Sequence, residues 1–291
     1  MIITMKKQII LLAAVLMSSI GFAQTKTESS LLWEITGNNL KTPSYLFGTV
    51  HIICKEDFFM PAVVQEKFTN AEQVFLELDM DDPAMMMKMI TLLQLPKGQT
   101  IKQLFGDSAF AAFDKKYQKI TGMSALMFNT FKPFMLMTML SEKSLNCKTR
   151  ESYEQTFIAI AAKNGKDIKG LETLEDQVAV FDSIPDSVEV ANLQNMIDNF
   201  DKNIEEFKKL ITVYKSQDVE ALYSFTNNSP ELMDAENELL VKRNSKWIPL
   251  MQKNMESKSC FFAVGAAHLG GDIGVINLLR KQGYTVKPVK L

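Results

Sequence analysis

Histidine is almost missing from this chain, with two residues in 291 against 32 Lys and Arg and 34 Asp and Glu. Three cysteines, Cys54, Cys147 and Cys260, exclude a framework stapled by several bridges, since at most one internal disulfide can form and one thiol is left over. The formal charge is only −2, so nothing recommends nucleic acid as a partner. No apolar run approaches the roughly 20 residues that a membrane-spanning helix needs. No repeat or low-complexity linker is evident, and a hydrophobic content of 46% is enough to build a large core.

The first residues differ in kind from the rest. Lys6 and Lys7 precede an apolar run from Ile9 to Met17, and small residues stand one and three places before Gln24. This is the layout of a secretory signal peptide over residues 1–23, with cleavage expected after Ala23. No cysteine stands at the cut, so no lipid anchor is expected there. An exported protein, periplasmic or secreted, follows from this reading, and losing the two lysines takes the formal charge from −2 to −4.

What the chain does contain is a repeated phrase. Leu46-Phe47-Gly48-Thr49-Val50-His51 and Ala263-Val264-Gly265-Ala266-Ala267-His268 are each an apolar run closed by Gly-x-x-His, and together they use every histidine present. A glycine three residues before each imidazole lets the chain leave the strand sharply and lets other groups approach the backbone. Two such rigidly supported imidazoles point to one shared metal or catalytic centre.

The patterning predicts an α/β fold: a central mixed, partly parallel β-sheet flanked by helices, with a large, mostly helical middle segment. Leu31 to Thr36 and Ser44 to Phe47 read as a hairpin around Gly37-Asn38-Asn39 and Pro43. Pro61 to Asn70 reads as a helix, and Gln73 to Asp79 as a strand that places Glu77 and Asp79 on one face. Residues 83–145 are helical and rich in methionine, which fits either core packing or an adaptable apolar binding surface. Glu151 to Asn164 is a further helix, Lys166 to Glu172 a short strand, and Thr173 with Asp176 opens the next helix. Apolar residues from Leu193 to Tyr214 recur as one long amphipathic helix, and Pro230 to Glu256 is helical again. Strand Cys260 to Val264, helix Ile273 to Lys281 and strand Tyr284 to Val289 form a closing α/β unit. His51, Glu77, Glu172 and His268 then all fall at the carboxyl ends of strands, where open α/β sheets gather their ligands.

Two histidines leave a divalent ion short of ligands, because catalytic zinc takes three protein groups and a water. Glu77 is the best third partner, and a mixed N/O set does not fix the metal. Glu172 offers a second carboxylate, or simply an acid favouring the helix that follows. Arg243-Asn244 is suited to holding a carboxylate or a developing oxyanion, or is an exposed basic helix face. Cys54, three residues past His51, reads as a thiol ligand or as a structural cysteine, and Cys260 as a small buried residue.

Gly48-Thr49-Val50-His51, Glu77-Leu78-Asp79, Gly170-Leu171-Glu172-Thr173 with Gln177, Arg243-Asn244, and Val264-Gly265-Ala266-Ala267-His268-Leu269 with Gly270, Gly271, Gly274 and Gly283-Tyr284 resemble, in order and spacing, the TraB/PrgY/GumN family, to which the TIKI proteases belong. The resemblance covers about Leu31 to Val289. It implies the fold of the erythromycin-esterase and ChaN-like superfamily, one domain over residues 24–291 with helical elaborations near 83–165 and 185–256. It also implies an active centre of His51, Glu77 and His268, as both metal ligands and catalytic groups, with Glu172, Arg243 and Asn244 beside them. A divalent metal ion (Mn, Co or Zn) and hydrolysis of a peptide or small-molecule substrate follow from the same likeness. Where many relatives have Asp, this chain has Glu154, so no role is carried over to it. The alternative is a protein that sequesters a peptide signal or a haem without turnover.

Overall fold

The structure is a computed structural model that describes residues 29–228 and 236–291. The expected leader, and the first part of the helix expected from Pro230, lie outside the described residues.

Eight strands are present among the described residues: β1 Leu32–Gly37, β2 Ser44–Thr49, β3 Ile53–Cys54, β4 Gln73–Leu76, β5 Arg150–Glu151, β6 Ile168–Gly170, β7 Cys260–Gly265 and β8 Tyr284–Val289. Six of them form one sheet in the order β6-β4-β7-β2-β1-β8. β6, β4, β7 and β2 run parallel, while β1 is antiparallel to both β2 and β8. The expected α/β class and mixed sheet are therefore present. The parallel set matters most, because it brings the carboxyl ends of β2, β4, β6 and β7 to one edge.

Both faces of this sheet are covered at its centre, which explains why Val74 to Leu76 of β4 and β7 read as unbroken apolar runs. In β7, Phe261 packs on one side with Phe47, Phe68 and Phe157, while neighbouring Phe262 packs on the other with Phe75, Trp33 and Trp247. Alternating side chains thus feed two separate cores, and a polar residue at either position would be stranded in one of them.

The helical middle segment departs from expectation in two places. Residues 83–145 form several helices, Met85–Leu92, Ile101–Phe105, Asp107–Thr121 and Pro133–Ser144. Phe110, Phe113, Tyr117, Leu136, Leu140, Leu193 and Ile197 pack together into a cluster of their own, so much of the block carries its own core instead of lying on the sheet. The single long helix expected over Leu193 to Tyr214 is two, Asp186–Asp198 and Phe200–Lys215. Asn199 leaves helical geometry at φ −110°, ψ 27° and its side chain bonds back to the Asn195 carbonyl, so a polar residue ends one helix inside a continuous apolar period.

Cys54 is joined to Cys147 in a disulfide with Cα atoms 5.9 Å apart, so it is not available as a thiol ligand. Cys260 is a buried free cysteine, as its strand setting implied.

Candidate active site

β2 delivers the first Gly-x-x-His phrase to the sheet edge. A methyl group on Gly48 would lie 2.7 Å from Leu269 Cδ1 and 3.1 Å from Ala266 Cα, so glycine is needed to let the turn after β7 pack against β2. Tyr214 fixes the same spot by donating its hydroxyl to the Gly48 carbonyl at 3.0 Å. The second phrase ends β7 with Gly265, and His268 follows in the short 3-10 turn Ala266–His268. Gly265 has ordinary extended geometry, φ −52° and ψ 134°, so no unusual turn calls for glycine there. A methyl on Gly265 would sit 3.4 Å from Glu77 Oε1, 3.6 Å from His268 Cδ2 and 4.0 Å from His51 Nε2. The two histidines and Glu77 therefore meet around a single glycine, although they come from opposite ends of the chain.

Glu77 follows β4 directly and is buried. Its Oε1 accepts the Gly265 N–H at 2.7 Å, and its Oε2 accepts Arg243 Nη2 at 2.5 Å and Gln177 Nε2 at 3.2 Å. Arg243 is the hub. Its Nε donates to both oxygens of Glu172, its Nη2 also reaches Glu172, and its Nη1 donates to the Leu239 carbonyl and faces His268 Nε2 at 3.1 Å. All five guanidinium N–H groups are thus engaged within the protein. Trp247, one turn further along the Lys242–Met255 helix, stacks beneath the guanidinium at 5.0 Å and donates its indole N–H to Glu172.

The two imidazoles occupy opposite environments. His268 is buried, with Nδ1 2.7 Å from Asn244 Oδ1 and its ring 4.5 Å from that of Trp247. Asn244 spends its amide N–H on the Ile273 carbonyl at 2.9 Å, so its oxygen must accept from His268 Nδ1–H. Nε2 then holds the lone pair and accepts from Arg243. Burial, assisted by the positive charge of Arg243, drives the His268 pKa down to about 3 against the pull of Glu77. The ring is neutral at working pH.

His51 opens onto a cavity, with its side chain 69% exposed. Its Nδ1 is 3.1 Å from Glu154 Oε1, and Glu154 is itself held by Thr49 Oγ1 and Ser152 Oγ, each at 3.0 Å. Its surroundings resist charge on the ring, but the hydrogen bond and charge of Glu154, with Glu77 behind it, outweigh this and raise its pKa to about 9. Glu77 moves the other way. Burial opposes its charge, yet His268, Arg243, His51 and the Gly265 N–H together lower its pKa to about 2.

Several expectations change in this geometry. Asp79 does not share the face of Glu77, because β4 ends at Leu76 and the chain turns; Asp79 is exposed beside Asp81. Glu172 is a full member of the ionic cluster as well as the residue before the capping box of Thr173 and Asp176. Arg243 and Asn244 are not free to bind an oxyanion: the first has no spare donor, and the second is buried behind His268. Glu154, Gln177 and Trp247 belong to the site as well. Trp247 had a local signal, its spacing of four from Arg243, while the one signal for Glu154, at the start of the helix Tyr153–Lys163, was that many relatives have Asp at this place.

A divalent ion on His51, Glu77 and His268 would need lone pairs converging at about 2.0–2.2 Å. No group of three or more His, Cys, Asp or Glu side chains among the described residues is arranged to hold one. The His268 lone pair faces Arg243, and both oxygens of Glu77 are engaged. The donor types are suitable, but the arrangement does not fit a three-ligand centre, because a guanidinium stands in the cation's place.

Among proteins of known name, "Metalloprotease TIKI homolog" of Amphimedon queenslandica is 22% identical over 338 aligned positions, covering 96% of this chain and 66% of its own. "Metalloprotease TIKI2" of Danio rerio is 24% identical, covering 90% and 61%, and "Metalloprotease TIKI1" of Homo sapiens 22%, covering 89% and 62%. The chain spans less than two thirds of the length of each. No solved structure matches it. The TraB/PrgY/gumN family model matches residues 31–288, which take in both Gly-x-x-His phrases and every residue of the ionic cluster, and the chain belongs to that family.

Proposed function

We propose that this protein is a hydrolase of peptide bonds, a role in keeping with the metalloprotease names of its relatives. The observation that carries the reading is His51: its Nδ1 is held by Glu154, its Nε2 takes no partner among the described residues, and the residue lines an apolar cavity of about 600 Å³. A carboxylate-oriented imidazole beside a substrate-sized cleft is a general acid–base.

In this mechanism the neutral ring, with Nδ1–H donated to Glu154, takes a proton on Nε2 from a water molecule adding to the substrate carbonyl. A C–O bond forms, the C–N bond breaks, and the imidazolium returns the proton to the departing nitrogen. The negative charges of Glu154 and Glu77 favour the imidazolium, so the neutral base form grows in as pH rises toward about 9. Glu77, Arg243, Glu172 and His268 form a rigid ionic floor under it. No step is routed through a metal ion, because Glu77 and His268 are engaged with Arg243 and Gly265.

The test is cleavage of a library of N-acetylated, C-amidated peptides by the purified protein, with and without Mn, Co or Zn, alongside elemental analysis. Cleavage that disappears in His51→Ala, with the fold retained by circular dichroism, is expected. Full activity in that variant would overturn the assignment. Stoichiometric metal lost on replacing either histidine would replace the acid–base reading with a metal-centred one. Binding without cleavage under every condition would favour sequestration of a peptide signal, for which the same open cavity is suited.

A further inference from the structure

The cavity above His51 is walled by Leu78, Met80, Met89, Phe134, Val180 and Phe181. Its charged lining residues are His51, Glu77, Glu154 and Arg243, and each is already paired, His51 with Glu154 and Glu77 with Arg243. An ion pair gives up little to a charged ligand that would have to break it, and a new charge brought among apolar walls is costly without a partner. Among the described lining residues no free cation remains to hold a terminal carboxylate, and no free carboxylate remains to hold a terminal amine.

The apolar surface also continues outward. Met89 lines the cavity from the Met85–Leu92 helix, and on the same helix Met86, Met87 and Ile90 are exposed at 69%, 68% and 41%. The helix rests on a small cluster of its own, Leu78, Met85, Leu93, Leu174 and Val178, separate from the two sheet cores. Methionine side chains on such a support can reshape around an incoming group.

Resting on the hydrolase reading, we propose that the substrate is an internal, uncharged stretch of peptide with consecutive apolar residues. Consecutive apolar side chains fill the cavity beside His51, and those that follow lie across Met86, Met87 and Ile90. Met89, Phe134 and Phe181 set specificity through their shape, and the pairing of every charge among the described lining residues sets endopeptidase rather than exopeptidase action.

Binding is the test, so that it stands apart from turnover. The probes are N-acetylated, C-amidated hexapeptides with three central Leu, Ala, Lys or Asp residues, titrated calorimetrically against His51→Ala. The Leu peptide is expected to bind at least about 10-fold tighter than the Ala peptide, given that a single methylene in an apolar pocket is worth about 10- to 200-fold. The Lys and Asp peptides should not bind measurably. The same Leu peptide with free ends should bind no better than the blocked one. Thr138, an exposed cavity residue on the Pro133–Ser144 helix, supplies a variant that keeps the fold. Thr138→Glu should weaken the Leu peptide about 10-fold and admit the Lys peptide. Equal binding of all four peptides, or a preference for free ends, would overturn the proposal. Selective Leu binding with no cleavage by the wild-type chain would leave it standing while sinking the hydrolase. Cleavage without apolar preference would do the reverse.

Discussion

His51 and His268 end the same four-residue phrase on adjacent parallel strands, yet they have become different chemical objects. His51 sits in an open cleft beside a carboxylate, and its pKa is raised to about 9. His268 is buried between an amide and a guanidinium, and its pKa is lowered to about 3. The supports differ too. His51 precedes β3, which pairs with β5 just ahead of Ser152 and Glu154, and the Cys54–Cys147 disulfide closes that small unit covalently. His268 is gripped by the Lys242–Met255 helix through Asn244, Arg243 and Trp247. One histidine is supported so that a free nitrogen can react. The other is supported so that its lone pair can hold Arg243 in place. A shared motif fixes where an imidazole stands, and its neighbours fix what it does.

Breaking the reactive side should give the largest effect on activity. Removing His51 should cost about 100- to 10,000-fold in kcat, the usual contribution of a general acid–base, in a variant that stays folded and is assayed near pH 9, where the ring's charge no longer adds stability. Breaking the supporting side should cost stability instead. Arg243→Met strands Glu77 and Glu172, whose side chains are 9% and 2% exposed, and should destabilise the fold by about 3–5 kcal/mol in urea unfolding. If Arg243→Met left stability intact and only activity fell, the division of labour between the two sides would collapse.

The disulfide sharpens the comparison. Replacing Cys54 and Cys147 by Ser should cost about 2–4 kcal/mol and should loosen the His51–Glu154 bond without touching His268. Proton NMR of the two imidazoles would show this as a change confined to the His51 resonances. Asn244→Ala should be milder, about 1–3 kcal/mol for a buried hydrogen bond left unmade, and should disturb His268 alone.

In pH dependence the two histidines have opposite signs. The folded pKa of His51 lies above its ordinary 6.5, so its contribution to stability is complete below pH 6.5 and is lost as pH rises through about 9. His268 lies below 6.5, so its contribution is present above that pH and is lost as pH falls toward about 3. Glu77 adds to the acid loss, with stability present above 4.5 and lost toward about 2. Activity that needs neutral His51 should rise from pH 7 toward about 9, and Glu154→Gln should shift that rise to lower pH. Co-titration of the two imidazoles would erase the distinction between them.

Much of the fold was legible because burial on both faces leaves β7 an unbroken apolar run, and because alternation marks β8 from Tyr284 to Val289. The break at Asn199 was not legible, since an apolar period can continue across a helix end that a single polar side chain creates. Within the site, the Gly-x-x-His phrases, Glu77, Glu172 and Arg243 each announced themselves by position at a strand end or by order along the chain. The engagement of every Arg243 donor, the shielding of Asn244 and the pairing of His51 with Glu154 did not. These depend on approaches of a few ångströms between segments far apart in sequence.

By itself the sequence determined that two imidazoles and two carboxylates would stand at the carboxyl edge of an α/β sheet, because strand ends and glycines are local features. Only the tertiary structure decided which imidazole is charged, which nitrogen is free and which cation sits between the carboxylates. Protonation and hydrogen bonding answer to burial and to charges within about 4–6 Å, and those neighbours are brought by packing rather than by the adjacent residues of the chain.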